Sequence, residues 1–222
     1  MELSTRIPEP ELMDTAEQAR AYAAADFTEP HEAFVDRFRA RFPEFRSGQV
    51  LDLGCGPADV TVRFARAYPE ARVHGVDGAP AMLEEAAKLV RAAGVGDRVS
   101  LEPVRLPSPS LSGAAYDAVV SNSLLHHLAD PGVLWATVAD TAGASAPVFV
   151  MDLCRPTSTD AAQQLVDTYT AGESPVLRDD FYRSLCAAYT PDEVRTQLVS
   201  AGLDHFRVEP AGDRHLLVWG PR

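Results

Sequence analysis

Two glycines and two carboxylates at the ends of apolar runs carry the first chemical signal in this sequence. In VLDLGCGPADV, Gly54 and Gly56 directly follow an apolar run and precede a helical one. Glycine lets a backbone approach a ligand closely, and an open α/β sheet binds its ligands at the carboxyl ends of its strands. Asp77 ends the next apolar run, a little over ~20 residues further on, where a carboxylate receives both ribose hydroxyls of an adenosine. The pattern predicts a nucleoside site; a tight turn with a helix-capping aspartate is the alternative. Asp59 stands where a dinucleotide fingerprint needs its third glycine. A carboxylate at a helix start that should attract phosphate opposes NAD or FAD. An adenosine bearing a sulfonium and an amino acid brings no phosphate and one ammonium, and fits better.

A second polar stretch, SNSLLHHL at 121–128, follows the strand-like AAYDAVV. Neighbouring histidines on an α-helix diverge by ~100 degrees, so His126 and His127 are not expected to hold one metal. The sequence has no H-E-x-x-H or cysteine cluster, and no metal site is predicted. One histidine, His126 before His127, could act as a general base. Asn122 is the stronger candidate for an active-site contact.

These residues need a scaffold. The chain of 222 residues is 46% apolar and 23% charged, enough for one sizeable core. Its net charge of -12 disfavours nucleic acid or an anionic membrane as partner. MELSTRIPEPELMD is acidic without an apolar h-region, so no signal peptide is expected. Cys55, Cys154 and Cys186 form no C-x-x-C pair, and a reducing cytoplasm is the expected compartment. The lone lysine, Lys88, leaves Schiff-base and P-loop chemistry almost without a candidate.

Before Gly48 the sequence reads as two helices, an N-terminal helical cap over residues 1–47. From 48 to 222 strands alternate with helices, which predicts an α/β, doubly wound, Rossmann-like sheet of seven mostly parallel strands. Pro80 and Gly94 bracket one helix, and Asp130-Pro131 opens another. An insertion of about 155–189 follows the fifth strand and carries two helices. Thr190-Pro191-Asp192-Glu193 is a capping box. LDHFRVEP and DRHLLVWG should close as a hairpin, making the last strand antiparallel.

VLDLGCGPADVTVRFA, VHGVDGAPAMLEEAAK and YDAVVSNSLLHHLADPGVLW together resemble the class I S-adenosylmethionine-dependent methyltransferases, over about Gln49 to Asp152. The resemblance implies S-adenosylmethionine as cofactor. It implies Asp52, Gly54, Cys55 and Gly56 around the methionine moiety, and Asp77 at the ribose. Gly78, Met82 and Leu106 would line the adenine pocket, with Ser121 and Asn122 beside the sulfonium. Many members have an aspartate shortly before a Leu-Pro pair; here Arg105 stands there, and it cannot accept from the adenine amine. Either Leu106 with a backbone carbonyl serves instead, or the arginine stacks on the ring, or it is a surface residue.

Methyl transfer depends on alignment and exclusion of water, so something must cover the site. Tyr22, Phe27 and His31 of the N-terminal arm are one candidate cover. Tyr169, Asp179, Asp180, Phe181 and Tyr182 of the insertion are another, with Tyr182 a catalytic candidate through cation–π contact. Asp152 and Arg155 are expected to meet the acceptor. The expected partner is a small molecule, and a homodimer is an open arrangement. Displacement at another carbon, releasing methylthioadenosine, and a non-catalytic cofactor-binding role stay as alternatives.

Overall fold

The computed structural model describes residues 2–222. Strands Ser47–Leu53 (β1), Glu70–Asp77 (β2), Val99–Pro103 (β3), Ala118–Asn122 (β4), Pro147–Leu153 (β5), Arg207–Ala211 (β6) and His215–Pro221 (β7) form one sheet. Its order is β3-β2-β1-β4-β5-β7-β6. The first five strands pair in parallel, and β7 runs antiparallel to both β5 and β6. This is the doubly wound, Rossmann-like sheet the alternation predicts. Residues 50–53, 118–121 and 148–153 are buried throughout. Strands covered on both faces need continuous apolar runs rather than alternation, which is what VLDL, AVVS and VFVMDL provide.

The helices are Ala16–Ala24 (α1), Thr28–Arg41 (α2), Asp59–Ala67 (α3), Pro80–Ala93 (α4), Gly132–Thr141 (α5), Thr159–Tyr169 (α6), Pro175–Ala187 (α7) and Pro191–Ser200 (α8). One face of the sheet packs on Phe34 and Phe38 of α2, Phe64 of α3 and Phe149 of β5. The Phe38 ring meets Phe64 edge-on at 4.9 Å and Phe149 at 5.8 Å, a geometry aromatic pairs favour. Helix α2 thus shares the sheet's core. The other face holds Leu134 and Trp135 of α5 with Leu198 of α8. The insertion, α6 and α7, forms its own small cluster with Leu3 and Leu153.

Residues 2–14 are neither helix nor core strand. They run as a strap along the insertion, with the Leu3 and Ile7 amides donating to the carbonyls of Thr157 and Cys186. Arg155 anchors the strap. It is 6% exposed, and donates to the carbonyls of Leu3 and Ala188 and to Glu193 at 2.7 Å. The expectation that Arg155 meets an acceptor is therefore corrected: each of its three guanidinium nitrogens donates to a different segment. Glu193 also completes the predicted capping box with Thr190.

Arg155→Met would strand two buried carbonyls and a carboxylate, at a cost of about 3 kcal/mol. Urea unfolding checks this; unchanged stability would mean the guanidinium is not what ties strap to sheet.

Candidate active site

The crevice lies where β1 has β2 on one side and β4 on the other. The amides of Gly54 and Cys55 both donate to the Val76 carbonyl, at 2.9 and 3.0 Å, which pins the loop after β1 against the end of β2. Gly54 sits at φ +71°, and a Cβ there would come within 2.9 Å of the Leu124 side chain. Gly56, at φ +52°, faces open space instead. Its amide donates to Asp77 Oδ2 at 2.8 Å, and the Ala79 amide donates to Oδ1 at 2.8 Å. Both carboxylate oxygens are fixed while keeping lone pairs for a ligand. Burial pushes the Asp77 carboxyl up, and the two amides pull it back.

Asp52, Gly54, Cys55, Gly56, Asp77, Gly78, Met82, Leu106, Asn122 and Tyr22 line this one cavity, so most of the predicted cofactor set converges. Asp52 is 2% exposed and accepts from Thr61 Oγ1 at 2.6 Å. Burial raises its carboxyl to about 6. The buried Oδ1 of Asn122 has no partner within the protein. Ser121 is the exception. It is fully buried with its hydroxyl donating to the Leu53 carbonyl, so it braces β1 against β4 and does not reach the cavity.

The strap supplies wall residues that the sequence reading missed. Leu12 presses on Gly78, where a Cβ would come within 2.9 Å of it. Glu11 accepts from Arg105 at 2.7 Å and from the Ala129 amide. Arg105 and Leu106 both line the rim, and the Arg105 guanidinium is 68% exposed and paired with Glu11. Of the readings open for Arg105, the rim residue is what the geometry supports. The only signal for Glu11 was a charge in an arm of no regular structure.

His126 is buried. Its Nδ1 donates to Asp152 at 2.5 Å, and its Nε2 lies 3.6 Å from Glu9 of the strap. Burial disfavours its charge, but Asp152 and Glu9 outweigh that and raise its pKa. Flanked by carboxylates, His126 is poorly placed to take a proton from an acceptor. Asp152 also accepts from the amides of Leu125 and Leu153, so it is a floor beneath His126 rather than an acceptor contact. His127 is pushed down to about 3 by burial and by its neighbour.

A second cavity adjoins the first and shares Tyr22, His31, Asn122 and Ser123 with it. Phe27, Tyr169, Asp180 and Phe181 contribute to its walls, as the two-part cover predicts. Tyr182 does not: it packs on the cluster around Leu3 and Leu185 and lines neither cavity. Its catalytic assignment is therefore corrected. Asp179 pairs with Arg183 at the surface. Between the two cavities His31 Nδ1 donates to Asp59 at 2.7 Å, and Asp59 also accepts from Arg63 at 2.8 Å. Burial raises the Asp59 carboxyl, but these two partners more than reverse it.

Residues 50–147 match a family model described as a methyltransferase domain. In sequence over that segment and in fold, the core of this chain is similar to the class I S-adenosylmethionine-dependent methyltransferases. The trans-aconitate 2-methyltransferase of Methylobacterium radiotolerans is 37% identical over 97 residues, 43% of this chain and 34% of that protein. The matched segments thus span about a third of such relatives' length. Among solved structures, an S-adenosylmethionine-dependent methyltransferase from Aquifex aeolicus superposes with a TM-score of 0.69 at 16% identity, covering 93% of this chain and 98% of that one. The plantazolicin methyltransferase BpumL, solved with SAH, gives 0.69 at 14% identity, covering 93% and 89%.

The cavity fits that family's cofactor. Its glycine loop leaves room at Gly56, Asp77 has free lone pairs, and the orphaned Asn122 oxygen awaits a donor. Asp52 is the costly part of this domain. Its carboxyl sits at about 6 in the fold against about 3.8 free, so the folded state binds the proton more tightly and stability falls as pH rises through that window. Asp52→Asn should therefore unfold at a higher temperature at pH 8, by a gain of up to about 3 kcal/mol, and converge with the parent below pH 4. Thermal melts at three pH values check the slope.

Proposed function

We propose that this protein transfers a methyl group from S-adenosylmethionine to a small molecule held in the second cavity. The observation that carries this reading is the pair of adjoining cavities, one with the doubly anchored Asp77 and the glycine loop, both sharing Asn122. When bound, S-adenosylmethionine supplies an electrophilic methyl on a cationic sulfur. The protein's work is binding, alignment and exclusion of water. Asp77 would receive the ribose hydroxyls, Asp52 when ionised would face the ammonium, and the Asn122 oxygen would meet a donor at the boundary of the cavities. Leu12 and Met13 of the strap and Tyr22 of α1 shut out solvent.

His31 is the residue best placed to take a proton from the acceptor. Asp59 fixes its Nδ1, leaving Nε2 as the free ring nitrogen of a side chain that lines both cavities. The second cavity favours a neutral or cationic acceptor, an alcohol, phenol or amine. Asp26, Glu29, Glu173 and Asp180 line it against a single guanidinium, Arg214. Arg214 is already engaged by Asp213 and Glu29 and lies over the Tyr169 ring at 3.4 Å. A polycarboxylate such as the one named for the relatives would meet mostly like charge.

Two measurements test this. Purified protein incubated with S-adenosylmethionine, with and without panels of phenols, amines and trans-aconitate, should form S-adenosylhomocysteine only with a neutral or cationic acceptor. Methylthioadenosine formed without any acceptor would overturn methyl transfer. Asp77→Ala should weaken cofactor binding at least tenfold by calorimetry. His31→Gln should leave that binding intact and lower kcat at least tenfold; an unchanged kcat would relieve His31 of the base's role.

A further inference from the structure

The strap brings Glu9 against the two histidines of SNSLLHHL. Its Oε1 lies 3.6 Å from His126 Nε2 and 3.4 Å from His127 Nδ1, and one donor atom from each residue falls within 4.8 Å of the others. We propose that Glu9, His126 and His127 form a site for a divalent transition-metal cation, with Zn2+ the best match. On an α-helix the two histidines would diverge by ~100 degrees. Residues 125–127 form a 3-10 turn instead, and the two rings lie tilted with centroids 4.3 Å apart, both beside the same carboxylate.

The spacing suits a metal. Two ligands at about 2.0–2.1 Å in tetrahedral geometry stand roughly 3.4 Å apart, which the two Glu9–histidine distances match, while the imidazole nitrogens lie within 4.8 Å of each other. The donor set, two imidazoles and one carboxylate, is one that Zn2+ accepts with a position left open. His126 donates its other nitrogen to Asp152 at 2.5 Å, which fixes its tautomer and aims Nε2 at the site, the outer-shell arrangement of metal-binding histidines. Nδ1 of His127 is buried with no hydrogen-bond partner, so the protein alone leaves a ligand atom unused. The Ser184 hydroxyl donates to Glu9 Oε1 at 3.0 Å and holds the carboxylate in place.

Charge agrees with this. Glu9 and Asp152, with Asp180 near Glu9, face one guanidinium, Arg6, which itself donates to the carbonyls of Ala187, His126 and Leu128. With both imidazoles neutral, the surroundings carry an excess of two negative charges, which a dication balances. The site sits in the wall between the cavities, since His127 lines the first and His126 the second. Its cation would clasp the strap to the loop after β4. This inference stands apart from methyl transfer and has its own readout.

Chelator-treated full-length protein is titrated with Co2+ and followed by visible absorption, then with Zn2+ in competition. One equivalent should bind, with the intense bands of four- or five-coordinate cobalt, and Zn2+ should displace it. Glu9→Gln and His127→Ala should each weaken Co2+ at least tenfold. No spectral change at millimolar Co2+, or undiminished binding in both variants, overturns the site. Should the variants misfold, X-ray absorption of the Zn2+-loaded parent decides. Two imidazoles in the first shell support the site; a sulfur or all-oxygen shell overturns it.

Discussion

The reversal of strand order at β1 governs everything else in this molecule. Because the chain leaves β1 toward β2 on one side and later returns as β4 on the other, the loops after these strands part and leave a crevice. Gly54 and Leu124 touch across its floor, and a single Cβ at Gly54 would push the loops apart. Asp77 and Asp52 belong to that edge, Asp52 buried and Asp77 half-buried. Their raised carboxyls follow from the crevice being enclosed, with no arginine or lysine set against Asp52. The fold carries a charge cost where it would bind, as sites shaped for a ligand commonly do.

Negative charge is managed differently at each depth. Asp59 has His31 and Arg63; Glu193 has Arg155; Asp152 has two amides and an imidazole. Asp52 has one hydroxyl. Among the carboxylates that line the first cavity, Asp52 is the one left with a single hydroxyl donor. Arg155 and Arg105 illustrate the same sorting among cations: the buried one is wholly consumed by the scaffold, while the exposed one merely closes a rim with Glu11.

The fold was legible because local signals agreed with one another. Apolar runs ending in Gly or Asp marked β1 and β2, Pro80 and Gly94 bracketed α4, and the short link at Gly212 implied the closing hairpin. The cofactor cavity was legible too, since its residues lie within a few positions of strand ends, where topology fixes their direction. What stayed hidden came from long-range docking. Ser121 and Tyr182 face away from the cavities because of side-chain directions that spacing in a loop or short helix does not determine. Glu9, Glu11 and Leu12 lie in a segment with no periodicity, and their roles depend on partners more than 60 positions away.

The strap has a consequence for the order in which the molecule is assembled. Residues 3–11 leave the ribosome ahead of every element they dock on: Thr157, Cys186, Ala187, Ser184 and the turn at His126. Domains generally form from the N-terminus during synthesis, yet here residues 3–11 must wait for the insertion and for α7 before they can settle. The sheet core from β1 to β5 can pack first; the roof over the crevice comes last. Until residues 157–187 have been made the strap has nothing to dock on, and the wall that Leu12 and Met13 supply cannot form.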